Sequence, residues 1–239
     1  MPSSIHSIHH RVGPADLDRQ GQFSAAAYWS VFQTAAAQHA RLLGAATEDL
    51  RQGGQTWMLS RMALEVETSP ALGEELRIET WPSTKLRGVR AVRDFAVLDA
   101  EGALVATASS LWVIVDLASR RPQKIPASIA ALSTDPGYPV PEFSPELPAV
   151  EPPTHLQTFT ATAQDVDQNE HVNNVVYARW ALAALPEGFG PVRRFEVHYL
   201  AEIALGQDVQ LSMRVERDGA VQELLLPGGI VAARVRLVL

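Results

Sequence analysis

Two regions of the chain carry the alternation of apolar and polar positions expected of strands, and each also contains one stretch with helical spacing. After a candidate cap at Ser24, the residues Tyr28, Val31, Phe32, Ala35, His39, Leu42 and Leu43 recur in steps of three and four, and Gly44 follows as a stop. His39 falls on the inward face, where a buried, hydrogen-bonded structural role is expected because it has no acidic neighbour in the local sequence. After a loop, WMLSRMALEVET, LRIETWP, VRAVRDFAVLDA and ALVATASSLWVIVDL read as strands rich in β-branched and aromatic residues, separated by turn residues. His9–Val12 reads as the start of an edge strand. A long helix followed by several long antiparallel strands predicts an α+β fold in which the sheet wraps the helix.

The pattern breaks after Lys124. Eight of the sixteen prolines lie between Pro126 and Pro153, and proline lacks the N–H that a sheet requires. Residues 125–155 are therefore expected to be an extended linker, pinned to a surface by Tyr138 and Phe143. Beyond it LQTFTATAQ reads as a strand. A helix capped by Asn173 or Asn174 then runs through Tyr177, Trp180 and Ala184 to Pro186, and RRFEVHYL, DVQLSMRVE, AVQELLL and IVAARVRLVL are further strands. The expected division is 1–124, the linker 125–155, and 156–239.

Composition narrows the function. The formal charge of −7 argues against nucleic acid as a partner. With no cysteine there is no disulfide, thiolate metal site or thiol nucleophile. The N-terminus has no signal-like apolar core and no run approaches membrane-spanning length, so a cytoplasmic protein without membrane contact is expected.

The richest chemistry lies in DVDQNEHVNNVVYARW, Asp165 to Trp180. In an extended backbone Asp165, Asp167, Asn169 and His171 would project to one side, just before a helix start whose free N–H groups suit a developing oxyanion. A calcium loop is excluded, since Glu170 stands where glycine is needed and Val176 where a bidentate glutamate is needed. Zinc would require further His, Cys or carboxylate ligands at helical spacing. A purely structural cap accounts for Asn173 and Asn174 and leaves Asp167, Asn169 and His171 unexplained.

DVDQNEHVNNVVY resembles the signature of the acyl-acyl carrier protein thioesterases of plants and bacteria, in which Asp-x-Asn-x-His-Val-Asn-Asn precedes the central helix of the second of two hotdog domains. The resemblance implies a tandem hotdog with an acyl-pocket half, 1–124, and a catalytic half, 156–239. It implies a thioesterase acting without a cofactor on a fatty acyl chain held by acyl carrier protein through phosphopantetheine. It also implies catalytic roles for Asp167, Asn169 and His171 together with a glutamate on the following strand, which in HYLAEI is Glu202. Ile203 replaces the family's cysteine at the next position, and Leu200 and Ala201 replace two arginines, so carboxylate chemistry is expected. Asp167 would act as nucleophile or base, with Glu202 oriented by Asn169 and His171 and the two carboxylates sharing one partly buried site. The N–H groups of Val172 to Asn174 would stabilise the oxyanion. Lys85, Arg87, Arg90 and Arg93, with Arg193 and Arg194, would steer the acidic carrier, and an acyl tunnel is expected around the first helix and the strand from Trp57. An acyl-coenzyme A hydrolase, a non-catalytic acyl-thioester-binding hotdog and a dehydratase are the competing readings.

The two halves also align with each other. DLDRQGQFSAAAYW matches DVDQNEHVNNVVYARW with Tyr28 over Tyr177, and ALEVETSPALGEEL matches EVHYLAEIALGQDV with Gly73 over Gly206. Asp18 then faces Asp167, but Gln20, Gln22 and Ser69 stand in place of Asn169, His171 and Glu202. A fused pair of units is expected, one catalytic and one shaping a pocket. Unfused, such units would form a homodimer, and a homodimer of the whole chain also remains open.

Overall fold

The computed structural model describes residues 4–85, 88–167 and 169–239. Strands β1 (His6–Arg11), β2 (Gln55–Val66), β3 (Glu75–Pro82), β4 (Arg90–Leu98) and β5 (Leu104–Asp116) belong to the first half, with a two-residue β6 (Pro122–Gln123) beside β5. The second half supplies β7 (His155–Thr160), β8 (Arg194–Tyr199), β9 (Asp208–Glu216), β10 (Gly219–Leu226) and β11 (Ile230–Val238). All lie in one antiparallel sheet ordered β1-β3-β4-β5-β2-β8-β11-β10-β9-β7. The order is the same read from either edge, with β2 and β8 meeting at the centre. The fold is the α+β tandem hotdog.

Each half wraps a helix. Helix α1 (Ala25–Leu42) starts where the Ser24 hydroxyl accepts the Ala27 N–H at 3.1 Å, satisfying one of the donors a helix start leaves free. Its inward face buries Tyr28, Trp29, Val31, Phe32, Ala35 and His39. Where the sequence suggested only a loop, α2 (Thr47–Gln52) forms, its entrance closed by the Ala46 N–H donating to the Asp49 carboxylate. A single-turn α3 (Ala127–Ala130) lies in the linker. Helix α4 (Asn174–Ala183) is capped by Asn173, whose side chain accepts the Val175 N–H at 3.0 Å.

The two helices pack against each other, and one core runs through both halves. Trp29 of α1 meets Phe195 of β8 edge-on at 5.1 Å and donates its indole N–H to the Tyr199 hydroxyl at 3.0 Å. Burying such a side chain contributes about 2–3 kcal/mol, and its polar atom is satisfied.

The linker crosses the outer face of the sheet from one half to the other. Tyr138 stacks near Trp81 of β3 and donates to Glu79. Arg61 of β2 donates to the Ser144 and Pro145 carbonyls, Arg234 of β11 to that of Leu147, and Arg214 of β9 to that of Glu151. Under this strap lies Glu196, fully buried, accepting from the Ser144 N–H and hydroxyl, from Arg194 and from His198. Burial pushes the Glu196 carboxyl up, but the hydrogen bonds from His198, Arg194 and Ser144 outweigh it and bring it down to about 2.

A carboxyl held below its unfolded value stabilises the fold above that value and loses the contribution as pH falls through the folded one. Glu196 should therefore contribute on the order of 3 kcal/mol above roughly pH 4.5, disappearing towards pH 2. In urea denaturation across this range, the stability gap between wild type and Glu196→Gln should close as pH falls. A gap independent of pH would show that Glu196 does not hold the strap by its charge.

Candidate active site

The segment of Asp165, Asp167, Asn169 and His171 is a tight reversal, which corrects the extended arrangement expected from its alternation. Val166 bridges Val172, the Asp167 N–H donates to the His171 carbonyl at 3.1 Å, and the Glu170 N–H donates to the Asp167 carbonyl at 2.9 Å. Glu170 sits at φ +64°, the left-handed region that such a turn demands. Asp165 is consumed structurally, accepting from the Thr162 N–H and hydroxyl and from Arg179 at 2.6 Å. Burial would raise its carboxyl, but the Thr162 hydrogen bonds and Arg179 hold it below the usual range.

Asp167 lies at the turn, one carboxylate oxygen accepting the Asn169 N–H at 2.8 Å and the other facing the Asn173 amide at 3.4 Å. Asn173, besides capping α4, accepts from Gln33 of α1 at 3.3 Å. The Val172 N–H donates to the Ile203 carbonyl, and His171 bridges Ala204. This pairing lays His171 Nε2 3.1 Å from Glu202 Oε2. Their side chains remain 37% and 39% exposed, open to solvent.

Two partners from the first half escaped the sequence reading. Arg120, beyond β5, donates to the same Glu202 oxygen at 2.7 Å. Arg51, in the last turn of α2, donates to the Asn169 side-chain oxygen at 2.6 Å. Glu202 is thus held by His171 and Arg120, while the Asn169 side chain faces Arg51 instead of orienting Glu202 as expected. The only signal in the sequence was the cationic run Arg120, Arg121 and Lys124. Two of the three N–H groups expected at an oxyanion are occupied, Val172 by the Ile203 carbonyl and Asn173 by that of Asp165. Among the described residues no group of three or more His, Cys, Asp or Glu side chains is placed to hold a metal ion.

The expected basic patches are reduced. Lys85, Arg90 and Arg193 are exposed, and Arg87 lies outside the described residues. Arg93 is enclosed, donating to His39 and Thr80, and burial brings its guanidinium down to about 10. Arg194 is taken up by Glu65, Glu196 and the Glu142 carbonyl.

The first half repeats the hydrogen-bonded framework of the loop. Leu17 bridges Phe23, the Asp18 N–H donates to the Gln22 carbonyl, the Gln20 N–H to the Asp18 carboxylate, and the Ser24 N–H to the Asp16 carbonyl. Gly21 takes the left-handed turn position that Glu170 takes in the second half. Beside this copy opens a cavity of about 600 Å³, walled partly by Tyr28 of α1 and Leu64 of β2. Trp57 is not in its wall; its indole N–H binds the Ala45 carbonyl and its ring meets Trp112.

Residues 5–132 match the model of the acyl-ACP thioesterase N-terminal domain, and residues 152–228 that of the acyl-ACP thioesterase C-terminal domain. The chain belongs to the acyl-ACP thioesterase family. A palmitoyl-acyl carrier protein thioesterase of Gossypium hirsutum is 30% identical over 75% of this chain and 43% of its own length. A dodecanoyl-[acyl-carrier-protein] hydrolase of Cinnamomum camphora is 26% identical over 92% and 57%. The chain spans about half the length of these chloroplastic relatives. An acyl-ACP thioesterase structure from Bacteroides thetaiotaomicron superposes with a TM-score of 0.89 at 26% identity, covering 98% of this chain and 97% of the other. The 12:0-ACP thioesterase of Umbellularia californica shares the fold, with a TM-score of 0.86 at 20% identity over 99% and 97%.

Asp165 and its first-half counterpart Asp16, which accepts from the Gly13 N–H and meets His10 at 2.8 Å, should act as loop anchors. Asp165→Ala removes three hydrogen bonds and should cost about 2 kcal/mol in chemical denaturation. An unchanged midpoint would show that the loop holds its shape without Asp165.

Proposed function

We propose that this acyl-ACP thioesterase family member hydrolyses fatty acyl thioesters borne on acyl carrier protein, releasing the fatty acid and the carrier thiol. The observation that carries the reading is the convergence of His171 and Arg120 on Glu202, on the strand pairing that also fixes the Asp167 loop. In this reading the second half, 156–239, carries the carboxylates. The first half, 1–124, supplies Arg51 and Arg120 and shapes the acyl pocket on the Asp167 side of α1, where Gln33 meets Asn173, with 125–155 as the strap between them.

Asp167, its oxygens steadied by the Asn169 N–H and the Asn173 amide, faces the acyl carbon and either attacks it or takes the proton of the water that does. Glu202, oriented by His171 and Arg120, holds the hydrolytic water, and His171 delivers a proton to the departing thiolate. The Asn174 N–H, in the first turn of α4, receives the negative oxygen of the tetrahedral intermediate, helped by the positive end of the helix. Every group in this scheme comes from the chain itself.

The carrier is favoured by the site's rim. Arg51 and Arg120 reach the loop and its glutamate, and Arg121 and Lys124, which follow Arg120 in the chain, are exposed, in a protein whose formal charge is −7. An acidic carrier and its phosphate-bearing arm would be drawn to this local cationic edge.

Asp167→Asn and Glu202→Ala should each reduce thiol release from acyl-ACP by about 10²–10⁴-fold while the folded state persists. Arg120→Gln, which misplaces Glu202 without removing it, should cost about tenfold in kcat. Near-normal turnover in either carboxylate variant would strike that residue from the mechanism. No release by wild type from any acyl carrier would overturn the reading itself.

A further inference from the structure

The first-half copy of the catalytic loop keeps the backbone of its counterpart and Asp18 in the place of Asp167, and has lost the histidine and the glutamate. Gln20 stands for Asn169, Gln22 for His171, and Ser69 for Glu202. The strand ends confirm the last pairing. The Gly73 N–H donates to the Val12 carbonyl as the Gly206 N–H donates to that of Ala161, and the Val12 N–H binds the Glu74 carbonyl as the Ala161 N–H binds that of Gln207. The Ser69 hydroxyl meets the Phe23 N–H at 3.0 Å, beside the place where the second half presents its glutamate. Asp18 remains but the counterparts of His171 and Glu202 are missing, yet the cavity of about 600 Å³ is here, within the roughly 300–1,000 Å³ of small-molecule sites.

The asymmetry has a structural cause. Over the catalytic loop, α2 brings Arg51 onto Asn169. Among the described residues the segment between α4 and β8 forms no counterpart of α2: α4 has ten residues where α1 has eighteen, and the chain passes directly through Phe189 to β8. The uncovered space is walled by Phe23, Leu64, Leu182, Leu185 and Phe189, an apolar lining suited to an aliphatic chain.

Its polar features select the head group. Tyr28, in the wall, is fully buried and its hydroxyl has no hydrogen-bond partner among the described residues, whereas its counterpart Tyr177 donates to the Ala201 carbonyl. A buried donor without an acceptor costs about 1–3 kcal/mol, which a ligand carbonyl would offset. At the rim Arg19 and Arg193 are balanced by Asp18 and Glu67, so a neutral carbonyl fits better than a carboxylate.

We propose that this cleft binds a second acyl thioester, with its chain inward, and holds it without turnover. The identity of the head group rests on the thioesterase reading; the existence of an aliphatic-chain site does not.

The test is calorimetric titration of the full chain with the ketone analogue of dodecanoyl-pantetheine, in which a methylene replaces the thioester sulfur. Wild type should bind two equivalents. Ala183→Trp and Thr68→Trp, which place bulk in the cleft from exposed positions on opposite walls, should each bind one while retaining wild-type kcat on acyl-ACP. Tyr28→Phe should weaken the cleft by about five- to tenfold without lowering thermal stability. One equivalent in wild type, unchanged in both Trp variants, would overturn the proposal, as would two equivalents surviving in both. One equivalent abolished by both variants, in a chain that releases no thiol, would uphold the cleft and sink the catalytic reading instead.

Discussion

The pairing of β2 with β8 is the contact on which the rest of the molecule depends. Neither half can close its sheet around its own helix alone, because each would leave a long central edge of unpaired backbone groups. Joining the two edges, with Leu64 opposite Phe195 and Arg61 opposite His198, makes one sheet and lets Trp29 of the first half reach Tyr199 of the second. The same seam places the α2 and β5 ends of the first half over the second half's loop. Arg51 and Arg120 reach Asn169 and Glu202 because the seam holds the halves in this relation.

The linker solves a second problem created by the seam. Its outer face carries Glu196 and His198, and Glu223 follows on β10, all buried. Charges in such places must be paired and hydrogen-bonded. The strap supplies the bonds through Ser144, and through the Val150 N–H to Glu223, while its proline content keeps it extended and out of the ladder. A connection chosen only for reach would have left these carboxylates open to solvent or unsatisfied.

Duplication lets one scaffold carry two differently equipped ends. Loop shape is set by backbone bonds and by a left-handed turn residue, so it survives the loss of its chemistry. Gly21 and Glu170 hold that position in the two copies. Glycine takes it at no steric cost and glutamate only with strain. Reading Gly21 across to Glu170 was the one signal in the sequence that marked the motif as a turn. Alternation over seven residues suits a strand equally well, and for that reason Asp165 was expected beside Asp167 instead of beneath it, bonded to Arg179.

Much of this protein follows from local sequence, because the forces concerned act over a few residues. Strand alternation, the caps at Ser24 and Asn173, and the proline-rich crossing are of this kind, as is the cluster of Asp167, Asn169 and His171. Glu202 became visible through resemblance to a family motif, since nothing around it in HYLAEI distinguishes it. Tertiary structure alone decided that Arg120 and Arg51 meet Glu202 and Asn169, that Arg93 is sealed against His39, and that the open cavity lies at the copy. Those outcomes depend on which strand edges meet and on how far each helix extends over its loop. They are long-range consequences of burying one core between two halves, and no short stretch of residues encodes them.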